Sequence, residues 1–234
     1  MKRWARCLRG GEPRDFIQAR LSPEGWAGNR PRGWIGMGVF LKLNRMGNSA
    51  KAVLRDEMRR RLAAFSPEGR QDASQAVVQT LTTRPEWKKT GVVGLYLSLP
   101  DEPETRALIR QAWEEGKKVA LPKTDIQHGL TWWEIVPGPL PATETLWEPL
   151  PGKHTSVALE SIEGFCVPGR AFDAKGTRLG RGGGHYDRAL ARRSRRSWVT
   201  GLFFGIQEME SLPKEVHDVA LPHVVTEHGW RSLP

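Results

Sequence analysis

Apolar positions recur at helical spacing just after residue 48, where Leu54, Met58 and Leu62 fall at i, i+4 and i+8 and share one face. Asn48 or Ser49 can cap this helix, because a short polar side chain there accepts a hydrogen bond from an orphan amide of the first turn. The helix runs to about Phe65. Ser66-Pro67-Glu68 opens a second one, ending near Thr83: a cap, a first-turn proline and an acid at the positive end of the dipole. The period then changes. Val92 to Leu99 is an apolar run of strand length, a helix from Glu104 to Glu115 is stopped by Gly116, and Lys118 to Leu121 reads as the next strand. Leu130–Val136, Ile162–Val167, Trp198–Ile206 and Val224–Thr226 supply further strands, the last being Val224–Thr226, and Tyr186 to Arg193 a helix. This rhythm predicts an α/β fold with a mainly parallel sheet, in which ligands collect beyond the carboxyl ends of the strands. Glu102 and the loop after Val167 both lie at such ends.

A Pro- and Gly-rich connector spans Pro137 to Lys153 and carries Trp147, which either packs the loop down or covers a ligand. Trp132 and Trp133 point to opposite faces of their strand, so at least one belongs to the core. No internal repeat is apparent.

Charge changes the picture only at the head. The chain of 234 residues has a net charge of +10, but residues 1–45 hold ten Lys/Arg against three acids, leaving +3 for the other 189. That near-neutral body suits an enzyme acting on small acidic substrates better than a nucleic-acid module, and it contains no nucleic-acid-binding motif. The head mixes Gly, Pro, Arg and isolated Trp without periodicity. It reads as a disordered basic extension, with Met46 as the functional start and 46–234 as the enzyme domain. Its Arg-rich, acid-poor composition also fits a transit peptide, but Gly33–Leu41 is too short and glycine-diluted for a secretory signal. No apolar run approaches the roughly 18 residues of a membrane helix, so no membrane is expected. Cys7 and Cys166 make no disulfide framework, which points to a reducing cytoplasm, and Cys166 reads as a small buried hydrophobe.

Candidate chemistry concentrates in Pro168–Arg188, PGRAFDAKGTRLGRGGGHYDR. Glycines so dense are kept where the backbone must approach something closely, and their amides can form a nest for an anion. A helix beginning near Tyr186 places a positive N-terminus behind that nest. Neither a Walker loop nor a dinucleotide fingerprint fits. Arg178 and Arg181 suit phosphate oxygens, and Asp187 suits Mg²⁺ at the edge of a polyphosphate site. Lys51 and Arg55, four apart on the first helix, project side by side; taken alone they begin a solvated basic face continued by Arg59, Arg60 and Arg61.

The glycine-rich string resembles the signature of 5-formyltetrahydrofolate cyclo-ligases, or methenyltetrahydrofolate synthetases, P-G-x-x-F-D-x-x-G-x-R-L-G-x-G-x-G-Y-Y-D. Lys51–Arg55 resembles that family's K-x-x-L-R, Leu97–Thr105 its strand-then-E-x-x-T segment, and His217-Asp218 with Val224–Glu227 its C-terminal piece. The resemblance implies a three-layer α/β/α fold, NagB/RpiA/CoA transferase-like. It implies ATP- and Mg²⁺-dependent conversion of 5-formyltetrahydrofolate to 5,10-methenyltetrahydrofolate with release of ADP and phosphate, by a monomer or dimer. Lys51, Arg178 and Tyr186 would be catalytic. Lys51, Arg55 and Arg178 would grip ATP together with Gly180, Arg181, Gly182, Gly183, Gly184, His185 and Tyr186. Leu97, Glu102, Trp147 and the inner loop (Arg181, Gly182, Gly183, Gly184 and His185) would contact the folate. Asp187 and Asp218 would hold Mg²⁺. Two departures are His185, where the family has Tyr, and Pro222, where it often has Asp. The alternatives are a same-fold enzyme on another folate or a thiamin-related compound, and a basic nucleic-acid-binding protein suggested by the overall charge.

Overall fold

The computed structural model describes residues 48–141 and 146–234. The expectations for residues 1–45 lie outside what it describes, and so does the expected cap, which rests on the side chain of Asn48 or Ser49. The described chain opens with α1 (Asn48–Ala64), α2 (Pro67–Thr82) and a short α3 (Pro85–Lys89). Ser66 caps α2 as its sequence implies, its hydroxyl accepting from the Gly69 amide at 3.0 Å. Then come β1 (Val92–Gly94), α4 (Arg106–Glu114), β2 (Lys118–Asp125), β3 (Gly129–Ile135) and β4 (Thr155–Val157). After β5 (Gly164–Val167) and the short β6 (Ala171–Asp173) and β7 (Arg178–Leu179), α5 (His185–Arg192) leads to β8 (Trp198–Leu202). The chain closes with β9 (Glu208–Met209), β10 (His223–Thr226) and β11 (Gly229–Ser232).

Eight strands form one sheet in the order β11-β10-β8-β5-β1-β2-β3-β4. The five from β10 to β2 are parallel, and the antiparallel strands β11, β3 and β4 lie outside them. Side-chain alternation divides the core between the two faces. Val119, Leu121, Cys166 and Val225 pack with Val77 and Leu81 of α2 and Leu108 and Ile109 of α4. Their neighbours Ala120, Phe165, Val167 and Val224 pack with Leu190 of α5 on the opposite face. Helices therefore cover both faces, as a parallel sheet requires. Trp132 is buried in the second cluster while Trp133 is only half-buried, so one of the pair is core. A small second sheet, β7-β6-β9, provides Ala171 and Leu179, against which Leu54, Met58 and Leu62 of α1 pack.

Several boundaries differ from the sequence expectation. The strand expected over Val92–Leu99 pairs only to Gly94, with one further bond from the Leu95 amide to the Ala120 carbonyl. Beyond it the backbone bonds to side chains instead. Thr105 Oγ1 donates to the Tyr96 carbonyl at 2.6 Å and accepts from the Ser98 amide at 3.1 Å, closing a tight loop. The expected Trp198–Ile206 strand stops at Leu202, where Phe203 and Phe204 turn inward. Val224–Thr226 is not the last strand; it turns back through Gly229 (φ +118°) into β11. The connector Pro137–Lys153 is followed by an edge strand, β4, which the sequence did not signal.

Candidate functional site

The carboxyl ends of β1, β2 and β5 open onto a cavity of about 410 Å³. Its apolar wall includes Leu97, Leu99, Leu121, Pro122 and Leu130, and Leu146 and the half-buried Trp147 of the connector close one side. Glycine is required in the loop before α5, where Gly182 (φ +113°) and Gly184 (φ +61°) take conformations that side chains rarely adopt. Gly184 caps α5, accepting from the Arg188 amide at 3.1 Å, so the helix N-terminus faces the loop as the sequence implies. Gly180, Arg181, Gly183, Gly184, His185, Tyr186 and Asp187 all line the cavity. Gln207 fastens the start of this segment, donating to the carbonyls of Gly169 and Arg170 at 2.9 and 3.0 Å.

Charged groups meet here in pairs. The Arg178 side chain is only 2% exposed and donates to Asp187 Oδ1 at 2.8 Å, while its other terminal nitrogen, Nη1, is buried without a partner. Its guanidinium lies 5.7 Å from the Tyr186 ring centre. Burial lowers the Arg178 pKa, opposed by Asp187. From α1, Lys51 bridges Asp218 at 2.8 Å and Glu215 at 3.1 Å. Burial acts to lower the Lys51 pKa, but the hydrogen bonds and charges of those carboxylates raise it above the usual lysine range. Arg55, one turn on, donates to the Gly180 carbonyl at 2.9 Å and so ties α1 to the glycine loop. Asp187 Oδ1 also accepts from the amide of Val219, next to Asp218, which brings the two aspartates into one neighbourhood.

Across the cavity the β1–α4 loop presents Glu102, nearly buried, with Oε2 accepting from the Leu99 amide at 3.0 Å. Arg181 reaches over from the glycine loop to Glu102 Oε1 at 2.9 Å and Asp101 Oδ1 at 2.8 Å. Arg170 holds the same Asp101 from its other side. Burial raises the Glu102 pKa despite Arg181, whereas Asp101, held by Arg170 and Arg181 against the effect of burial, is lowered.

A guanidinium and a lysine, each paired with a carboxylate, thus lie near a glycine-rich loop, and the cavity beside it combines an apolar wall with the carboxylate of Glu102. A profile of the 5-formyltetrahydrofolate cyclo-ligase family matches residues 47–227. The chain belongs to this family. It is 32% identical to the 5-formyltetrahydrofolate cyclo-ligase of Haemophilus influenzae over 75% of this chain and 97% of that one. It is 31% identical to the Mus musculus 5-formyltetrahydrofolate cyclo-ligase over 79% and 97%. The solution structure of Aquifex aeolicus 5,10-methenyltetrahydrofolate synthetase superposes with a TM-score of 0.67 at 31% identity, over 78% of this chain and 92% of that one.

Within this cyclo-ligase fold, the residues singled out in the sequence divide into two groups. Leu97, Glu102, Trp147, Arg178, Arg181, His185, Tyr186 and Asp187 line one cavity. Lys51, Arg55, Gly182 and Asp218 are not among the lining residues: Arg55 bonds to the glycine loop at the Gly180 carbonyl, Gly182 belongs to that loop, and Lys51 and Asp218 pair with each other. Arg59 and Arg61 pair with Asp56 and Glu57 on their own helix, in keeping with a solvated basic face. Among the residues that had no assignment from sequence, Glu215, Asp173 and Tyr96 bear on the site. Glu215 joins His217 and Asp218 in a cluster whose donor atoms lie within 4.8 Å of one another. Asp173, in the signature's F-D pair, is buried and accepts from the Lys175, Thr177 and Leu212 amides, which explains its place in the loop without any ligand. Tyr96 lines the cavity with a buried, unpartnered hydroxyl; in the sequence it looked like any residue of an apolar strand.

Proposed function

We propose that this chain converts 5-formyltetrahydrofolate to 5,10-methenyltetrahydrofolate, consuming ATP and releasing ADP and phosphate. One observation carries the reading: the buried Arg178, with Nη1 lacking a protein partner, and the nearly buried Glu102 border the same cavity. A buried N–H without an acceptor costs about 1–3 kcal/mol, and a phosphate oxygen would answer it. Glu102, which only accepts hydrogen bonds when ionised, suits the amino and ring N–H donors of a pterin. Leu97 and Trp147 would bound the pterin's flat faces.

The chemistry asks for positioning and charge neutralisation. An N-formyl carbon is a weak electrophile because the nitrogen donates into the carbonyl. Transfer of the γ-phosphoryl group to the formyl oxygen makes that oxygen a leaving group. N10 then attacks the carbon, the ring closes, N10 gives up its proton, and phosphate departs. Lys51 and Arg178 would hold the phosphates in line, Arg55 would keep the glycine loop against α1, and the amides of Gly180, Gly182, Gly183 and Gly184 would face the polyphosphate. Arg181 and His185 would meet the folate at the loop's inner edge, with Tyr186 packed under Arg178. The carboxylates of Asp187 and Asp218 are hard oxygen donors that fit Mg²⁺, which when bound would neutralise phosphate charge. Lys51 and Arg178 balance those same carboxylates in the free protein. The buried, unpaired Cys166 is in keeping with a cytoplasmic setting. A spectroscopic assay for methenyltetrahydrofolate tests the proposal. Product should form only when ATP and Mg²⁺ are both present; no product, or product without ATP, would overturn it.

A further inference from the structure

We propose that the Tyr96 hydroxyl is a substrate-binding group, donating a hydrogen bond to an acceptor atom of the bound pterin ring. The inference rests on the cyclo-ligase reading above and adds to it a residue of this chain. Tyr96 follows Leu95, whose amide is the last in that segment to bond into the sheet. The backbone is held in place at this point, since the Tyr96 carbonyl accepts from Thr105 Oγ1 at 2.6 Å. Its side chain lines the cavity yet is only 4% exposed, and its hydroxyl has no hydrogen-bond partner. Among the described residues that line the cavity, only Tyr96 and Arg178 carry a buried, unpartnered side-chain atom.

The two differ in what they face. Arg178 sits against Asp187, on the phosphate side. The hydroxyl of Tyr96 feels chiefly Glu102, the carboxylate assigned above to the folate, and next Tyr186. Burial, reinforced by those two groups, pushes the phenol well above its ordinary range, so it remains a donor across the working pH. Unpaired polar groups in a folded interior call for an explanation, such as a missing water or a ligand. A pterin carries both kinds of edge. Glu102 is suited to its N–H donors, and Tyr96 supplies what the carboxylate cannot, a donor for a ring carbonyl or ring nitrogen.

The Tyr96→Phe substitution keeps the ring and removes only the hydroxyl. The KM for 5-formyltetrahydrofolate should rise roughly three- to tenfold, the worth of one neutral hydrogen bond, with the KM for ATP unchanged. The melting temperature of the ligand-free variant should equal or exceed that of the wild type, because the hydroxyl serves nothing in the free fold. An unchanged folate KM would overturn the inference, as would a lower ligand-free melting temperature, which would mean that the hydroxyl stabilises the fold itself. A wild-type protein without turnover would remove the cyclo-ligase reading and this inference with it. An active wild type with an indifferent variant would remove this inference alone.

Discussion

Replacing Arg178 by Met tests the anion site at its most buried point. The substitution leaves the alkyl packing but removes a guanidinium whose side chain is 2% exposed and which sits 2.8 Å from Asp187. Breaking a buried pair costs about 3–5 kcal/mol because one charge is left without its partner. Asp187 is 14% exposed and keeps the Val219 amide, which places the loss near the lower end, at about 3 kcal/mol. Removing the unpaired Nη1 returns about 1 kcal/mol, so the net destabilisation is about 2 kcal/mol, or about 4–8 °C for a domain of this size. Thermal melts of Arg178→Met, Asp187→Asn and the double variant would read this directly, the double being less destabilised than the sum of the singles. Ligand binding supplies the second readout. A saturating ligand at a hundred times its Kd stabilises the native state by about 2.7 kcal/mol, so ATP with Mg²⁺ should raise the wild-type melting temperature by about 5–11 °C. In Arg178→Met the ATP affinity should fall about ten- to hundredfold, the worth of a charge-assisted contact, and that rise should shrink accordingly. Wild-type stability together with wild-type ATP response in Arg178→Met would refute both the pair and the phosphate assignment.

The Lys51–Asp218 pair makes a pH prediction. Burial alone would raise the Asp218 pKa, but Lys51 and the Glu215 amide outweigh it and hold it below the usual range. A depressed carboxylate stabilises the fold above its unfolded pKa and loses that contribution as pH falls through the folded value. The gap in melting temperature between wild type and Asp218→Asn should therefore be constant near neutrality and close below about pH 3.9, as melts across a pH series would show. Arg181 opposes the effect of burial on Glu102, so Arg181→Met should raise the Glu102 pKa further. The acid limb of kcat/KM for the folate should then move to higher pH; an unmoved limb would mean that ionised Glu102 is not required. Deleting residues 1–45, which lie ahead of the matched span at 47–227, should leave turnover and melting temperature unchanged, and a large drop in either would assign the head a role in the enzyme domain.

Much of this protein was already determined by local physics that a sequence displays. Helical and strand periods placed α1, α2, α4 and the parallel strands, because side chains that must face a core repeat at 3.6 or 2 residues wherever the fold puts them. The glycine loop was legible for a similar reason: positive φ at Gly182 and Gly184 is a backbone demand met within the segment itself. Elements whose existence depends on distant partners were not legible. The two-residue strands β7 and β9 form only because β6 lies between them, and the outer strand β4 exists because β3 offers it a ladder. The early end of β1 follows from Thr105, whose hydroxyl captures the Tyr96 carbonyl across a turn. The site shows the same division. The residue types at Arg178 and Asp187 suggested anion and metal chemistry, whereas Lys51 and Asp218 gained such an expectation only from the family resemblance. Their pairing, Lys51 with Asp218 and Arg178 with Asp187, was decided by tertiary structure, as was the linking of Arg170, Asp101, Arg181 and Glu102. Residues 167 positions apart, as Lys51 and Asp218 are, have no local signal for one another. Ion pairing and the desolvation that sets its strength depend on the distance between charges and on what surrounds them, and only the folded chain determines either.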